Sequence, residues 1–127
     1  MKKEQNIQIQ VCQYLAWQYP KLLWVCDFAA GIKMNIGQAV KAKKMRSCKG
    51  LPDIMIFKPN KIYHGLFLEL KTVSPYKKDG TLKSDEHLRT QKDVHRRLLY
   101  QGYSAMFVVG FDEAKKEIDI YMGKGAI

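Results

Sequence analysis

The sequence has few of the residues that build disulfide-linked or zinc-bound domains. Its cysteines, Cys12, Cys26 and Cys48, are widely spaced without a CxxC pair, and its three histidines are scattered. Neither a disulfide framework nor a zinc site is therefore expected. The sequence also lacks an apolar run long enough to cross a bilayer, and its first residues are polar. We expect an intracellular, soluble protein with no membrane-spanning segment.

Acidic residues are also scarce, at 12 against 22 lysines and arginines, so the 127-residue chain has a formal charge of +10. Such a balance in a small chain favours a polyanionic partner. Because 46% of the residues are hydrophobic, residues 1–127 are enough to bury one core, and we expect a single domain.

Two of the few acids stand in a pattern that indicates chemistry. The Gly50–Asp53 motif (Gly-Leu-Pro-Asp) precedes one apolar segment, and a second apolar segment ends in Glu69-Leu70-Lys71, sixteen residues after Asp53. We interpret 54–57 and 66–68 as two short buried strands separated by a turn at 58–61. Asp53 opens its strand while Glu69 and Lys71 close theirs. An antiparallel pairing would therefore bring these side chains to the same end.

Two acids and a lysine in this arrangement are typical of metal-dependent phosphodiesterases. Because side chains alternate along a strand, Glu69 and Lys71 share one face, while Leu70 points away and leaves its backbone carbonyl near the acids. Two carboxylates and a carbonyl suit Mg²⁺ or Mn²⁺. The metal would activate a water, and Lys71 would orient that water or stabilise the developing charge. Either half of the pattern alone is also typical of a turn or a solvated strand edge.

Basic residues bracket both motifs, which a merely solvated charged face would not explain. The predicted phosphate-contacting residues are Lys41, Lys43, Lys44, Arg46 and Lys49 before the first motif, and Lys77, Lys78 and Lys83 after the second. A basic membrane-surface helix is less favoured, because the first cluster contains few large apolar residues.

The rest of the sequence predicts an α/β order of helix, strand, basic segment, two strands, helix, strand and a small tail unit. The predicted elements are a helix at 5–19, a strand at 23–29, a short helix or irregular basic segment at 38–47, a polar loop at 72–84, a helix that Ser84 or Asp85 caps and Gly102 ends, a strand at 104–110, a helical turn at 112–116 and a further segment at 118–122.

Two polar residues extend the apolar stripes of the predicted helices. Glu4 continues the stripe at 7, 11 and 15, so it either faces the metal site or is a helix N-terminal carboxylate. Gln91 continues the stripe at 94 and 98, so it either meets polar partners at the acids or lies at the margin of the core. Of the histidines, only His95 is kept as a candidate, because it lies near Gln91.

With Glu4, Gly50–Asp53, Glu69-Leu70-Lys71 and Gln91 in this order, the sequence resembles the VRR-NUC branch of the PD-(D/E)XK nuclease superfamily. The similarity covers most of the chain, including the segments 98–103 and 109–114. It implies a restriction-endonuclease-like α/β fold, in which helices flank a central mixed sheet. It also implies that Asp53 and Glu69 bind the metal, that Lys71 assists the attacking water, and that Glu4 and Gln91 are the family's helix residues near the site.

The resemblance also implies a substrate class. VRR-NUC domains act on structured DNA, and the small stand-alone members, which look like phage or bacterial proteins, are similar to homodimeric four-way (Holliday) junction resolvases. We therefore expect a Mg²⁺- or Mn²⁺-dependent endonuclease that cuts branched DNA as a homodimer, because opposed cuts need two protomers. The expected location is the cytoplasm of a bacterium or a phage-infected host.

Alternatives remain at this level. A monomeric nickase or flap nuclease would need no dimer surface, and a non-catalytic DNA-binding module could keep the same fold and basic face. A purely structural protein would leave the acids and their basic borders unexplained. The loop at 72–84, which the compact family form lacks, could grip DNA, shape a dimer or be a simple insertion.

Overall fold

The computed structural model describes residues 2–27 and 34–124, which form four helices and one four-stranded sheet. The helices are α1 (Lys2–Gln18), α2 (Ile36–Lys44), α3 (Glu86–Tyr100) and α4 (Gly110–Met122), and the strands are β1 (Trp24–Cys26), β2 (Ile54–Ile56), β3 (Leu66–Lys71) and β4 (Ser104–Val109). No helix in this part of the chain has the length and apolar character needed to cross a membrane.

The strands lie in the order β1-β2-β3-β4, and the sheet is mixed, as the family resemblance implies. β2 is antiparallel to both β1 and β3, whereas β3 and β4 are parallel. Ile54 pairs with Leu68, so the residue that precedes β2, Asp53, comes opposite Glu69. The predicted antiparallel pairing of the two motif strands is therefore confirmed.

One face of the sheet carries the hydrophobic core. Leu66, Leu68 and Leu70 alternate along β3, and all three are at most 1% exposed. They pack with residues of α1 and α4, such as Leu15 and Ile118. Each fully buried aliphatic side chain of this kind contributes about 2 kcal/mol relative to an exposed one. Leu70 therefore points away from Glu69, as the period-two argument predicts.

The opposite face of the sheet is more polar and is partly covered by α3. Glu69 and Lys71 of β3 lie on this face, beside Phe107 of β4, which pairs with Glu69 in register. The ring of His95 on α3 packs against Phe107 with a centroid distance of 4.6 Å. This second face, where α3 begins, contains the acids that the sequence singles out.

The helix termini follow their sequence signals. Asp85 caps α3 by accepting a hydrogen bond from the backbone N–H of Leu88 at 3.1 Å. Gly102 ends the same helix with a φ of +96°, a conformation that glycine adopts without strain. Asn35 and Gln38 form a capping box at the start of α2. The predicted basic segment at 38–47 is thus a helix that begins two residues earlier and has no buried residue.

Two predicted elements need correction. The predicted strand at 23–29 is shorter, since β1 spans Trp24–Cys26 and positions 28–29 lie outside the described residues. The predicted tail unit is wrong, because α4 continues without a break from Gly110 to Met122. The reason is the helical spacing of Ala114, Ile118 and Tyr121, which all bury against the sheet.

Candidate metal centre

Three carboxylates from separate segments meet where β2 begins and β3 ends. Asp53 precedes β2, Glu69 belongs to β3, and Glu4 comes from the first turn of α1. One oxygen atom from each side chain lies within 4.8 Å of the other two. Asp53 and Glu69 are only 4% and 3% exposed, and Glu4 is partly buried. Such a set of hard oxygen ligands suits Mg²⁺ or Mn²⁺.

The backbone of the two strands fixes the position of Asp53. Its Oδ2 accepts a hydrogen bond from the N–H of Leu70 at 2.8 Å, and its carbonyl accepts one from the N–H of Asp27 at 2.7 Å. In an extended strand the N–H and C=O of one residue point to the same side. The carbonyl of Leu70 therefore faces the side on which Asp53 lies, and its role as a metal ligand remains a prediction.

The electrostatics of the three acids favour a bound cation. Burial raises the pKa of Glu69 far above its usual range, and the neighbouring Asp53 carboxylate raises it further. Burial also raises the pKa of Asp53 and of Glu4, although the Lys71 ammonium opposes both shifts. Within the described residues, Oε1 of Glu69 is buried and has no hydrogen-bond partner. A divalent cation fits this set, because it would supply both the missing partner and the missing positive charge.

Lys71 and Gln91 complete the predicted set of residues in the cleft. Lys71 is partly buried, and its Nζ lies 5.6 Å from the centroid of the Phe107 ring. Gln91 of α3 is 4% exposed, and its Nε2 lies 3.2 Å from Nε2 of His87. The Oε1 of Gln91 is buried and has no partner among the residues that the structure describes.

These five predicted residues, Glu4, Asp53, Glu69, Lys71 and Gln91, line one cleft of about 340 Å³. The structure therefore brings together every side chain that the sequence argument placed at the site. The sequence left open whether Glu4 and Gln91 face the acids, and the structure places both side chains in the cleft. The catalytic role of each residue is a separate matter and remains a prediction.

The cleft also contains residues that the sequence argument missed. His87 lies one helical turn before Gln91, so the spacing of four residues was the available signal. Asp27 follows β1 and binds Arg46 through an ion pair of 2.7 Å. Arg46 was predicted to contact phosphate, and this ion pair shows that its guanidinium also has a protein partner.

His95 does not line the cleft, although the sequence kept it as a candidate. It is 1% exposed, and among the described residues neither ring nitrogen has a hydrogen-bond partner. Burial lowers the pKa of His95 to about 4, and the ring is therefore neutral at physiological pH. Its observed contact is the aromatic packing against Phe107.

The predicted basic residues lie on two segments next to the cleft. Lys41, Lys43 and Lys44 are exposed on α2, and Lys49 lines the cleft. The hairpin lysines, Lys77, Lys78 and Lys83, are exposed on the segment that joins β3 to α3.

The hairpin itself is fixed to the polar face of the sheet. A bridge pairs Tyr76 with Leu82, and the Tyr76 hydroxyl accepts a hydrogen bond from Nζ of Lys92 at 3.0 Å. The Tyr76 ring also packs edge-on against Phe107, with centroids 6.0 Å apart. The hairpin that carries the lysines is thus anchored to Lys92 of α3 and to Phe107 of β4, the strand next to β3.

Comparisons with known proteins identify the fold. No family model and no curated protein matches the chain. Among solved structures, a "VRR_NUC domain protein" superposes with a TM-score of 0.64 and 22% sequence identity, covering 97% of this chain and 90% of that chain. A second structure, named "VRR_NUC domain", has a TM-score of 0.47 and 20% identity, covering 91% of this chain and 97% of that one. The first likeness confirms the predicted α/β fold with its mixed sheet.

Proposed function

We propose that this chain is a VRR-NUC-type nuclease that hydrolyses DNA phosphodiester bonds with Mg²⁺ or Mn²⁺. The observation that carries the proposal is the meeting of Glu4, Asp53 and Glu69 beside Lys71 in one cleft. The fold shared with a solved VRR_NUC domain protein supports it. The formal charge of +10 supports it as well, since a polyanion is the natural partner of such a surface.

The metal would be held by the carboxylates of Glu4, Asp53 and Glu69 together with the carbonyl of Leu70. The unpartnered Oε1 of Glu69 is the observation that fits this assignment, because a buried acceptor without a donor is costly. When bound, the ion would lower the pKa of a water and neutralise charge on the phosphate.

The other cleft residues would position the reactants. The Lys71 ammonium lies over the Phe107 ring, and its charge favours ionisation of Asp53 and Glu69 in the same cleft. It would hold the attacking water or stabilise the charge on the phosphate. Gln91 has a buried Oε1 that needs a donor, and a water in the cleft is the suitable one. Both residues would therefore act on the same nucleophile.

The DNA would be held through its phosphates and recognised by its shape. The exposed lysines of α2 and the hairpin lysines give affinity without reading the base sequence. Branched DNA is the proposed substrate, with a four-way junction as the preferred form, because the sequence resembles VRR-NUC domains, which act on structured DNA. Paired cuts at a junction require a homodimer, because each protomer has one cleft. Trp17 and Tyr100, at 78% and 90% exposed, are candidates for the dimer surface.

The test is the cleavage of end-labelled four-way junction, flap and linear duplex DNA by the wild type and by Asp53→Asn. Each substrate is incubated with Mg²⁺, Mn²⁺ or EDTA. We expect metal-dependent paired nicks in the junction, and their loss in Asp53→Asn, which keeps an acceptor for the Leu70 N–H but lacks the charge. Asp93→Asn, an exposed change on α3 outside the cleft, is the matched control.

The possible outcomes separate the alternatives. Equal cutting of linear duplex and junction at physiological salt would remove the preference for branched DNA. Cutting by a monomer, measured by light scattering at the assay concentration, would favour a nickase or flap nuclease. Binding of DNA without cutting, under every metal condition, would refute the catalytic proposal and leave a DNA-binding module.

A further inference from the structure

His87 is a cleft residue to which the proposed reaction gives no task. It lies in the first turn of α3 with an exposed side chain and is one of the residues that line the cleft. Its charge, when protonated, favours ionisation of Glu4, although burial dominates and raises the pKa of that carboxyl. It is not part of the group whose oxygen atoms converge, so it is placed beside the metal centre and outside it.

The contact with Gln91 determines which nitrogen of His87 is free. Nε2 of Gln91 is an amide nitrogen, so it can only donate, and it lies 3.2 Å from Nε2 of His87. In the neutral ring, His87 Nε2 is then the acceptor, and the ring hydrogen is on Nδ1. Within the described residues, the contact with Gln91 is the only hydrogen bond of the His87 side chain, so Nδ1 of this exposed residue has no protein partner. The cleft thus holds an N–H donor that the protein itself does not use.

We propose that His87 binds a non-bridging phosphate oxygen of the DNA through its Nδ1–H, with Gln91 holding the imidazole ring in place. This inference rests on the proposed function, because it requires a phosphate in the cleft. Gln91 is suited to hold the ring, since it is 4% exposed and fixed in the middle of α3. Its remaining unpartnered Oε1 is left to accept a hydrogen bond from water.

The other cations of the cleft are less suited to this contact. The Arg46 guanidinium is already bound to Asp27 at 2.7 Å. Lys71 lines the cleft with the acids, its charge favours their ionisation, and the proposed reaction already assigns it to the attacking water. Lys49 is exposed, and a flexible ammonium gives charge without a fixed direction. His87 therefore supplies the directed donor, which defines where the phosphate lies relative to the three carboxylates.

A variant series tests which nitrogen is used. Asn at position 87 can place an N–H where Nδ1 was, Gln can place one where Nε2 was, and Ala removes both. We expect His87→Ala and His87→Gln to lower kcat/KM roughly 10- to 100-fold, with His87→Asn within a few-fold of the wild type. His64→Ala, which removes an exposed histidine at the opposite end of β3, should leave cleavage unchanged.

A binding measurement separates this inference from the nuclease proposal. The chain has three histidines, so ¹⁵N-histidine labelling gives three pairs of ring signals, one Nδ1 and one Nε2 for each residue, which His64→Ala and His87→Ala assign. A short DNA duplex is added with Ca²⁺ in place of Mg²⁺. We expect the Nδ1 signal of His87 to shift and that of His64 to stay, and Kd to rise in His87→Ala.

The combined outcomes are distinct. A shift of the His87 signal in a protein that binds DNA but never cuts it would uphold the phosphate contact and refute the nuclease. Normal cleavage by His87→Ala, with no shift of its ring signal in the wild type, would uphold the nuclease and refute the phosphate contact. Rescue by Gln in place of Asn would assign the contact to Nε2 and overturn the stated geometry.

Discussion

Replacing Glu69 with glutamine should stabilise the metal-free protein. The side chain is 3% exposed, its Oε1 has no partner among the described residues, and the Asp53 carboxylate is its neighbour. Folding without metal must therefore bury Glu69 either as an unpaired carboxylate or as a protonated carboxyl, which neutral solution does not favour. Glutamine has nearly the same shape and removes this cost. The change should raise the free energy of unfolding at pH 8 in EDTA.

The sign of the pH dependence follows from the raised pKa. Because the pKa of Glu69 in the folded protein lies above its usual value of 4.5, its contribution to stability is complete below pH 4.5 and is lost as pH rises toward the folded-state value. We expect a gain of about 2 kcal/mol for Glu69→Gln at pH 8, the usual scale for a buried unsatisfied polar group. For a chain of this size the gain raises Tm by roughly 6 to 10 °C.

Thermal unfolding followed by circular dichroism at pH 8 and pH 5 measures this difference. In EDTA the advantage of Glu69→Gln should be large at pH 8 and small at pH 5. Addition of Mn²⁺ should reverse the order, because the wild type binds the ion and gains stability by mass action, whereas Glu69→Gln does not. Asp93→Asn, an exposed change on α3, controls for the loss of one negative charge. A Tm of Glu69→Gln equal to or below that of the wild type in EDTA at pH 8 would refute the reasoning.

Two further predictions concern the basic surface and the core. Replacing the three hairpin lysines with glutamine should weaken DNA binding and reduce the slope of log K against log salt by up to about 3. The same change at lysines 21, 58 and 61 should leave both quantities unchanged. Fluorescence anisotropy at several salt concentrations measures the binding constant and its slope. Asp119→Asn should cost about 2 kcal/mol at pH 7 in urea unfolding, because its carboxylate accepts hydrogen bonds from Tyr14 and Tyr19 at 2.5 and 2.7 Å. Partial burial opposes these bonds and Lys115, but together they lower the pKa of Asp119 below its usual value of 3.8. The difference should therefore be complete well above pH 3.8 and be lost only as pH falls from there through the lower folded-state pKa.

The pairing of the two motif strands was predictable, because short strands with one acid each can bring these acids together in few ways. An acid at the start of one strand and an acid at the end of the next can meet only through antiparallel pairing, and the register of Ile54 with Leu68 gives that result. Glu4 was ambiguous, because helical spacing shows which face a residue shares but not where that face docks.

The contact between His87 and Gln91 had one sequence signal, their helical spacing of four residues, and that signal alone does not single out His87. His87 belongs to an exposed polar first turn, where no hydrophobic pattern distinguishes a functional side chain from a solvated one. The length of α4 was missed for a different reason, since the charged residues between Ala114 and Ile118 hide the helical period of its buried face.

The side chains of β3 alternate between two faces of the sheet, and this explains how the fold tolerates the repulsion among the carboxylates of Glu4, Asp53 and Glu69. Three leucines on one face contribute about 6 kcal/mol of burial, which exceeds the roughly 2 kcal/mol assigned to Glu69 on the other. The cluster can therefore stay unfavourable without unfolding the chain. If the proposed cation binds, the same energy would be regained, because the ion would remove the repulsion among the three carboxylates. About 2 kcal/mol corresponds to roughly 30-fold in affinity. The burial that weakens the metal-free protein would thus strengthen its binding of the metal on which the proposed chemistry depends.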